Sequence, residues 1–299
     1  MTGGCGMPPA DKPRHRSGYS AEDTLQVRSA CLTVAVTLGA YLDDLCIVGG
    51  VVPSLLVDHR ADPTPDADPG HPGTNDLDIA LAIAVLDDKR YADISHRLRQ
   101  EGFGPDQNAK GNPAVQRWRL GDLKVTIDFL MAPLPGQDAT RRIQSLEPDF
   151  GALVMPGVEL AFDERVHVEV DGHTLAGEKV TRTVPVCGPA AFTVLKALAF
   201  GDRAEPKDSY DLVYVLRAPP HTPGSVADRL AEHARHHRAV VQRALEFLNR
   251  DFPDPDGLGP RRAASFEFLE PDDQDDAAAD AHGFVDDLLN ACRARRLVT

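Results

Sequence analysis

Asp76, Asp78 and Asp128 are the residues whose types and spacing could do chemistry together. Asp76-Leu77-Asp78 opens an otherwise apolar run, Ile79-Ala80-Leu81. In an extended chain residues i and i+2 leave the same face, so both carboxylates reach one point in space while Leu77 and Ile79 enter the core behind them. Two like charges held side by side repel, and a cation between them removes that cost. Mg²⁺ suits such a pair because it takes carboxylate oxygens and substrate phosphates together. An exposed acidic strand start would carry the same D-x-D, and motifs this short recur by chance. Asp128 adds weight: it lies inside Val125-Thr126-Ile127-Asp128-Phe129-Leu130, and a carboxylate in so apolar a strand needs a partner. Either a neighbouring strand delivers it to the Asp76/Asp78 pair, or Arg117 or Arg119 takes it into an ion pair.

Two patterns flank these carboxylates. Val48-Gly49-Gly50 closes the apolar run Leu45-Cys46-Ile47-Val48, and two glycines there permit either a plain tight turn or the close approach of a phosphate to backbone amides. Downstream, Lys196, Arg203, Lys207, Asp208 and Asp211 fall within helical sequence, with 207 and 211 on one face. Cations beside a metal site would neutralise triphosphate charge, although a charged helix face with ordinary i,i+4 pairing reads identically.

Several elements must position these groups. Ser20 can cap a helix that buries Leu25, Val27, Cys31, Val34 and Leu38. A strand over 45–48 and a short helix over 51–57 follow, with Pro53 in its first turn. Residues 58–73 are loop by every breaker signal. A helix over 88–101 precedes two strands, 115–120 and 124–130, joined by Gly121-Asp122 as a hairpin. Residues 150–186 are Gly-punctuated strand material with a turn at Asp171-Gly172, either completing this sheet or bridging to the next domain. Beyond Pro189 the chain reads helical: 190–200, one long helix from Thr222 to Asn249, an acidic solvated linker, and a last helix over 284–297.

The bulk properties bound the function classes. With 299 residues, 42% hydrophobic and 26% charged, the chain can bury a real core, and its formal net charge of −14 rules out a uniformly basic surface. Nucleic acid would need local clusters: Arg97/Arg99, Arg117/Arg119/Lys124, Arg141/Arg142, and Arg229, Arg235, Arg238 and Arg243, each equally readable as a solvated face. Five scattered cysteines read as a reduced, cytoplasmic set. Neither an export signal nor a membrane span is expected. His233 and His237 could supply two metal ligands from one helix face, but no motif offers a third. Trp118, being alone, reads as packing rather than base stacking.

The ordered set Val48-Gly49-Gly50, Thr74-Asn75-Asp76-Leu77-Asp78, Ile127-Asp128-Phe129, Leu195-Lys196-Ala197, Arg203 and Lys207-Asp208-Ser209-Tyr210-Asp211-Leu212 resembles the AbiEii-type nucleotidyltransferase toxins of the DNA polymerase β-like superfamily. The insertion between Gly50 and Asp76 lengthens the usual spacing and reads as edge decoration, while Pro72 and Gly73 stand where basic residues often precede the Thr-x-Asp-x-Asp segment. Residues 1–18, rich in Gly, Pro and polar residues, read as a flexible tail, and the resemblance implies an α/β (α+β) fold with a mixed-sheet nucleotidyltransferase domain over 19–187 and a helical domain over 188–299. It further implies that Asp76, Asp78 and Asp128 ligate metal, that Gly49, Gly50 and Thr74 shape the nucleotide site, that Lys196, Arg203 and Lys207 contact phosphate, and that Asp208 or Asp211 assists catalysis. Mg²⁺, with Mn²⁺ as a substitute, would serve two-metal transfer of a nucleoside monophosphate from an NTP. The implied partners are a cognate antitoxin and an acceptor, which in some members is the 3′ end of tRNA. A protein or small-molecule acceptor is the alternative within this chemistry, and a catalytically idle domain acting through protein binding is the alternative outside it.

Overall fold

The strand carrying Asp76 and Asp78 becomes central because almost every residue from Asp76 to Leu81 is buried, a pattern that only a strand covered on both faces satisfies. The computed structural model describes residues 13–57, 70–82, 88–108, 110–134, 136–137 and 140–298. Within them β1 (Leu45–Val48), β2 (Asp76–Leu81), β3 (Phe103–Gln107), β4 (Pro113–Leu120), β5 (Thr126–Met131), β6 (Arg142–Glu147), β7 (Phe150–Val154), β8 (Arg165–His173) and β9 (Lys179–Cys187) form one sheet. Its order is β3-β4-β5-β2-β1-β9-β8, with β7 beside β5 and β6 beside β7. The sheet is mixed: β2 runs parallel to β5 and antiparallel to β1, and β1 runs parallel to β9. The 150–186 segment therefore completes this sheet. The expected 115–130 hairpin is present, with Trp118 opposite Ile127, and Trp118 packs against Phe129 and Phe150 in the core.

The helices are α1 (Ala21–Thr37), α2 (Val52–Leu56), α3 (Asp88–Gln100), α4 (Val158–Asp163), α5 (Pro189–Arg203), α6 (Pro206–Arg217), α7 (Pro223–His233), α8 (Arg238–Asp251), α9 (Leu258–Glu267) and α10 (Pro271–Ala294). A mixed sheet is thus followed by a mainly helical region, and one continuous core runs through both. Ser20 caps α1 as expected, its hydroxyl accepting the Asp23 N–H at 3.0 Å.

Four expectations need correction. Leu25 is 63% exposed: Val27, Ala30, Cys31, Val34 and Leu38 define the buried stripe, and position 25 falls on the opposite side of a 3.6-residue period. The turn assigned to Asp171-Gly172 lies further on, because both residues pair inside β8 with Thr181 and Val180. Thr174 makes the real turn, its N–H donating to the Glu178 carbonyl and its hydroxyl accepting the Glu178 N–H. The single helix over 222–249 is two, broken at 234–237 without Gly or Pro, where His233 and His237 turn aside to Glu164 and Asp163. The acidic linker is the first half of α10: Asp272 and Asp273 occupy its first turn, where they favour the helix dipole, and Ala277 to Ala279 propagate it. In the stretch expected as a tail, Arg16–Gly18 forms a 3₁₀ turn and Arg16 donates to the Gly70 carbonyl at 3.0 Å; residues 1–12, and positions 58–69 of the loop expected over 58–73, lie outside the described residues.

Candidate active site

Strand register builds the carboxylate cluster. Asp76 and Asp78 project from one face of β2, and the parallel β2–β5 pairing sets Asp128 directly beside Asp78. One carboxylate oxygen from each of the three lies within 4.8 Å of the others, which suits a divalent ion. The Thr74 hydroxyl donates to Asp76 Oδ1 at 2.7 Å and orients it. Arg117, opposite Asp128 across the β4–β5 pair, donates Nε and Nη2 to its two oxygens at 2.7 and 2.6 Å. Both readings of Asp128 thus hold at once, since the ion pair with Arg117 leaves it in the cluster; Arg119 instead reaches Asp106. Asp128 holds the Arg117 guanidinium well above its ordinary pKa, with Asp76 and Asp78 adding to the effect.

Gly49 and Gly50 form a 3₁₀ turn between β1 and α2. Gly49 adopts φ +73°, and a Cβ there would lie 1.8 Å from Asp78 Oδ2. The glycine is thus required first by the carboxylate it touches. A Cβ on Gly50 would meet Thr74 Oγ1 at 2.8 Å and Lys207 Nζ at 3.5 Å, so turn, carboxylate shell and lysine meet at one place.

α5 and α6 supply the ion set. α5 ends at Arg203, the chain reverses through Ala204 at φ +52°, and α6 starts on Pro206. This reversal lays Lys196 against both aspartates: its Nζ is 3.0 Å from Asp208 Oδ1 and 2.6 Å from Asp211 Oδ2. Arg203 grips Asp208 through Nε and Nη2 at 2.6 and 2.9 Å, and Lys207 sits 2.7 and 2.9 Å from the oxygens of Asp211. Lys196, Asp208 and Asp211 are buried. Burial alone would neutralise them, pushing the carboxyls up and the ammonium down. The mutual fields win: Lys196 and Arg203 hold Asp208 at about 2, and Lys196, Lys207 and His71 hold Asp211 far below the carboxylate range. Lys196 is held charged by Asp211 and Asp208 against the same burial.

The structure therefore brings together Gly49, Gly50, Thr74, Asp76, Asp78, Asp128, Lys196, Arg203, Lys207, Asp208 and Asp211. Two residues at this site escaped the sequence reading. His71 contacts Asp211 across 140 positions, a separation that leaves no local signal. Tyr19 lies with its ring 5.5 Å from Lys207 Nζ, and its hydroxyl is held protonated by burial and by the charges of Asp211 and Asp76. His233 and His237 lie elsewhere, bonded to Glu164 and Asp163, so they hold carboxylates rather than a shared ion.

A carboxylate cluster on a mixed sheet, facing helix-borne cations, fits a nucleotidyltransferase class of protein. Residues 74–293, well over half of the chain, match the family described as nucleotidyl transferase AbiEii toxin, type IV toxin–antitoxin system, and the chain belongs to that family. No curated protein matches it. The chain is thus a nucleotidyltransferase enzyme of a toxin family with a candidate divalent-metal cluster at Asp76, Asp78 and Asp128. No helix among the described residues is long and apolar enough to cross a membrane.

Proposed function

We propose that this protein transfers a nucleoside monophosphate from an NTP to the 3′ end of tRNA, in a reaction that needs Mg²⁺ or Mn²⁺, and that a cognate antitoxin restrains it. The observation that carries the reading is the meeting of three carboxylates with three cations at one site. A divalent ion held by Asp76, Asp78 and Asp128 would supply charge neutralisation for the triphosphate and a more acidic acceptor hydroxyl. Thr74 and Arg117 hold two of those carboxylates in orientation. Lys207 and Lys196 offer positive charge to the phosphates, and Arg203, whose charge is felt by Asp78 and Asp76, adds to that field. Asp208 and Asp211 are buried in direct ion pairs with those cations, so their part is to aim them. For an RNA acceptor, Arg235 and Arg238 are exposed at the turn between α7 and α8.

The test is incubation of purified protein and bulk tRNA with each labelled NTP and Mg²⁺. Label in RNA, abolished by Asp76→Asn, supports the reading. Label in protein or in a small molecule moves the acceptor to another class. Absence of label in every fraction, with NTP binding intact, would favour an idle domain.

A further inference from the structure

His71 lies three residues before the family match begins, and its imidazole is completely enclosed. It stacks on Tyr210 at 5.8 Å and meets Tyr214 edge-on at 5.1 Å. Nε2 lies 2.8 Å from Asp211 Oδ1, and the Gly73 N–H donates to Nδ1 at 3.1 Å. Nδ1 is therefore the bare nitrogen, and the ring proton sits on Nε2, aimed at the carboxylate. Burial, and then the charge of Lys207, push the ring's pKa down to about 4, so it is a neutral donor at pH 7.

The backbone is shaped for this bond. Gly73 stands at φ +84°, which folds its N–H back to the ring, and a Cβ there would fall 2.0 Å from Thr24 Oγ1. The Thr24 hydroxyl shares its proton between the Ser20 carbonyl at 3.1 Å and the Pro72 carbonyl at 3.2 Å, so α1 lies against the loop from its other side. Asp211 Oδ1 receives His71 and Lys207, while Oδ2 receives Lys196 and Lys207. Removing His71 would take away the contact that reaches Asp211 from outside α5 and α6, leaving its orientation to Lys196 and Lys207.

Resting on the nucleotidyl-transfer reading of this site, we infer that His71 is a positioning residue for nucleotide binding: its neutral Nε2–H locks Asp211 so that Lys196 and Lys207 stay aimed at the triphosphate. The same bond ties the loop entering β2, and hence Asp76 and Asp78, to α6, so carboxylates and lysines keep one spacing. A lysine or arginine in its place would compete with Lys196 and Lys207 for Asp211; a neutral donor constrains the carboxylate without drawing its charge away.

Two near-isosteric variants isolate the bond. His71→Gln places an amide N–H near the Nε2 position, within reach of Asp211. His71→Asn can still meet the Gly73 N–H but stops short of Asp211. Binding of the four fluorescent N-methylanthraniloyl nucleoside triphosphates with Mg²⁺ is measured by anisotropy, alongside KM, kcat and Tm. The expected result is about tenfold weaker binding and a matching rise in KM for the Asn variant, the scale of one lost hydrogen bond to a charged group, with kcat changed less. The Gln variant should stay within about threefold of wild type at a similar Tm. Equal binding by both variants, whether retained or lost, overturns the proposal. Failure of the underlying reading looks different, because the wild-type protein itself then neither binds nor transfers an NTP.

Discussion

The carboxylates on the sheet and the ion set on the helices face one site, but their charge balance differs. Among the described residues, three carboxylates of β2 and β5 meet the Arg117 guanidinium, and Asp78 and Asp128 remain partly open to solvent. On α5 and α6 three cations meet two aspartates, and Lys196, Asp208 and Asp211 are buried. The first cluster gathers three carboxylates within 4.8 Å of one another, an arrangement that a divalent cation stabilises. The second is a set of paired ions in which the aspartates are held charged by their cations against the cost of burial. Function and stability are thus divided: losing a carboxylate from the sheet should cost chemistry, and losing one from the helices should cost the fold.

The largest expected effect breaks the sheet cluster. Asp78→Asn should reduce label transfer by more than about a thousandfold while leaving Tm unchanged or slightly raised, because like-charge repulsion is relieved. Near-normal transfer in that variant would remove Asp78 from the metal site. Asp211→Ala is the contrasting case. It removes the partner that Lys196 and Lys207 share, leaving Lys196 to Asp208, and should cost about 3–5 kcal/mol in urea unfolding, as breaking a buried pair does. If Asp211→Ala proves no less stable than Asp78→Asn, the two clusters do not differ in the way drawn here.

Gly49→Ala tests the join between them. The left-handed backbone costs about 1–2 kcal/mol with a side chain present, and the added Cβ must displace Asp78. A fall in transfer of about a hundredfold, larger than the stability loss explains, is expected from kinetics paired with a melting curve. A further effect is acid sensitivity. The folded protein depresses His71 from 6.5 to about 4 and Asp208 from 3.8 to about 2, so both bind fewer protons folded than unfolded. Their stabilisation is complete above pH 6.5, and it is lost as pH falls, first between 6.5 and 4 through His71 and then between 3.8 and 2 through Asp208. Urea midpoints across this range should fall less steeply above pH 4 in His71→Gln, which has no ring to protonate.

Much of the sheet cluster could be read along the chain because its signals are local. Alternation along a strand places Asp76 and Asp78 on one face whatever surrounds them, and an aspartate inside Ile127-Asp128-Phe129 announces a partner by its own desolvation cost. The motif order also carried Lys196, Arg203, Lys207, Asp208 and Asp211 to the site as candidates. Local signals misled where tertiary packing outweighs them. Acidic residues from 267 to 280 look like a solvated linker, yet the alanines among them pack α10 against its neighbours through Ala278 and Ala281. The break at 234–237 has no breaker residue, since contacts with α4 and the residue after it, Asp163 and Glu164, turn the chain there.

What the sequence by itself determined is the chemistry on offer: which carboxylates share a strand face and which cations share a helix. Only the tertiary structure decided who meets whom. The β2–β5 register puts Asp128 beside Asp78 rather than one residue away on the other face of the sheet, and a one-residue slip would have undone the cluster. Folding likewise brought His71 to Asp211, because a buried ring and a buried carboxylate each need a partner, and the packing of the β2 entry loop on α6 leaves each the other.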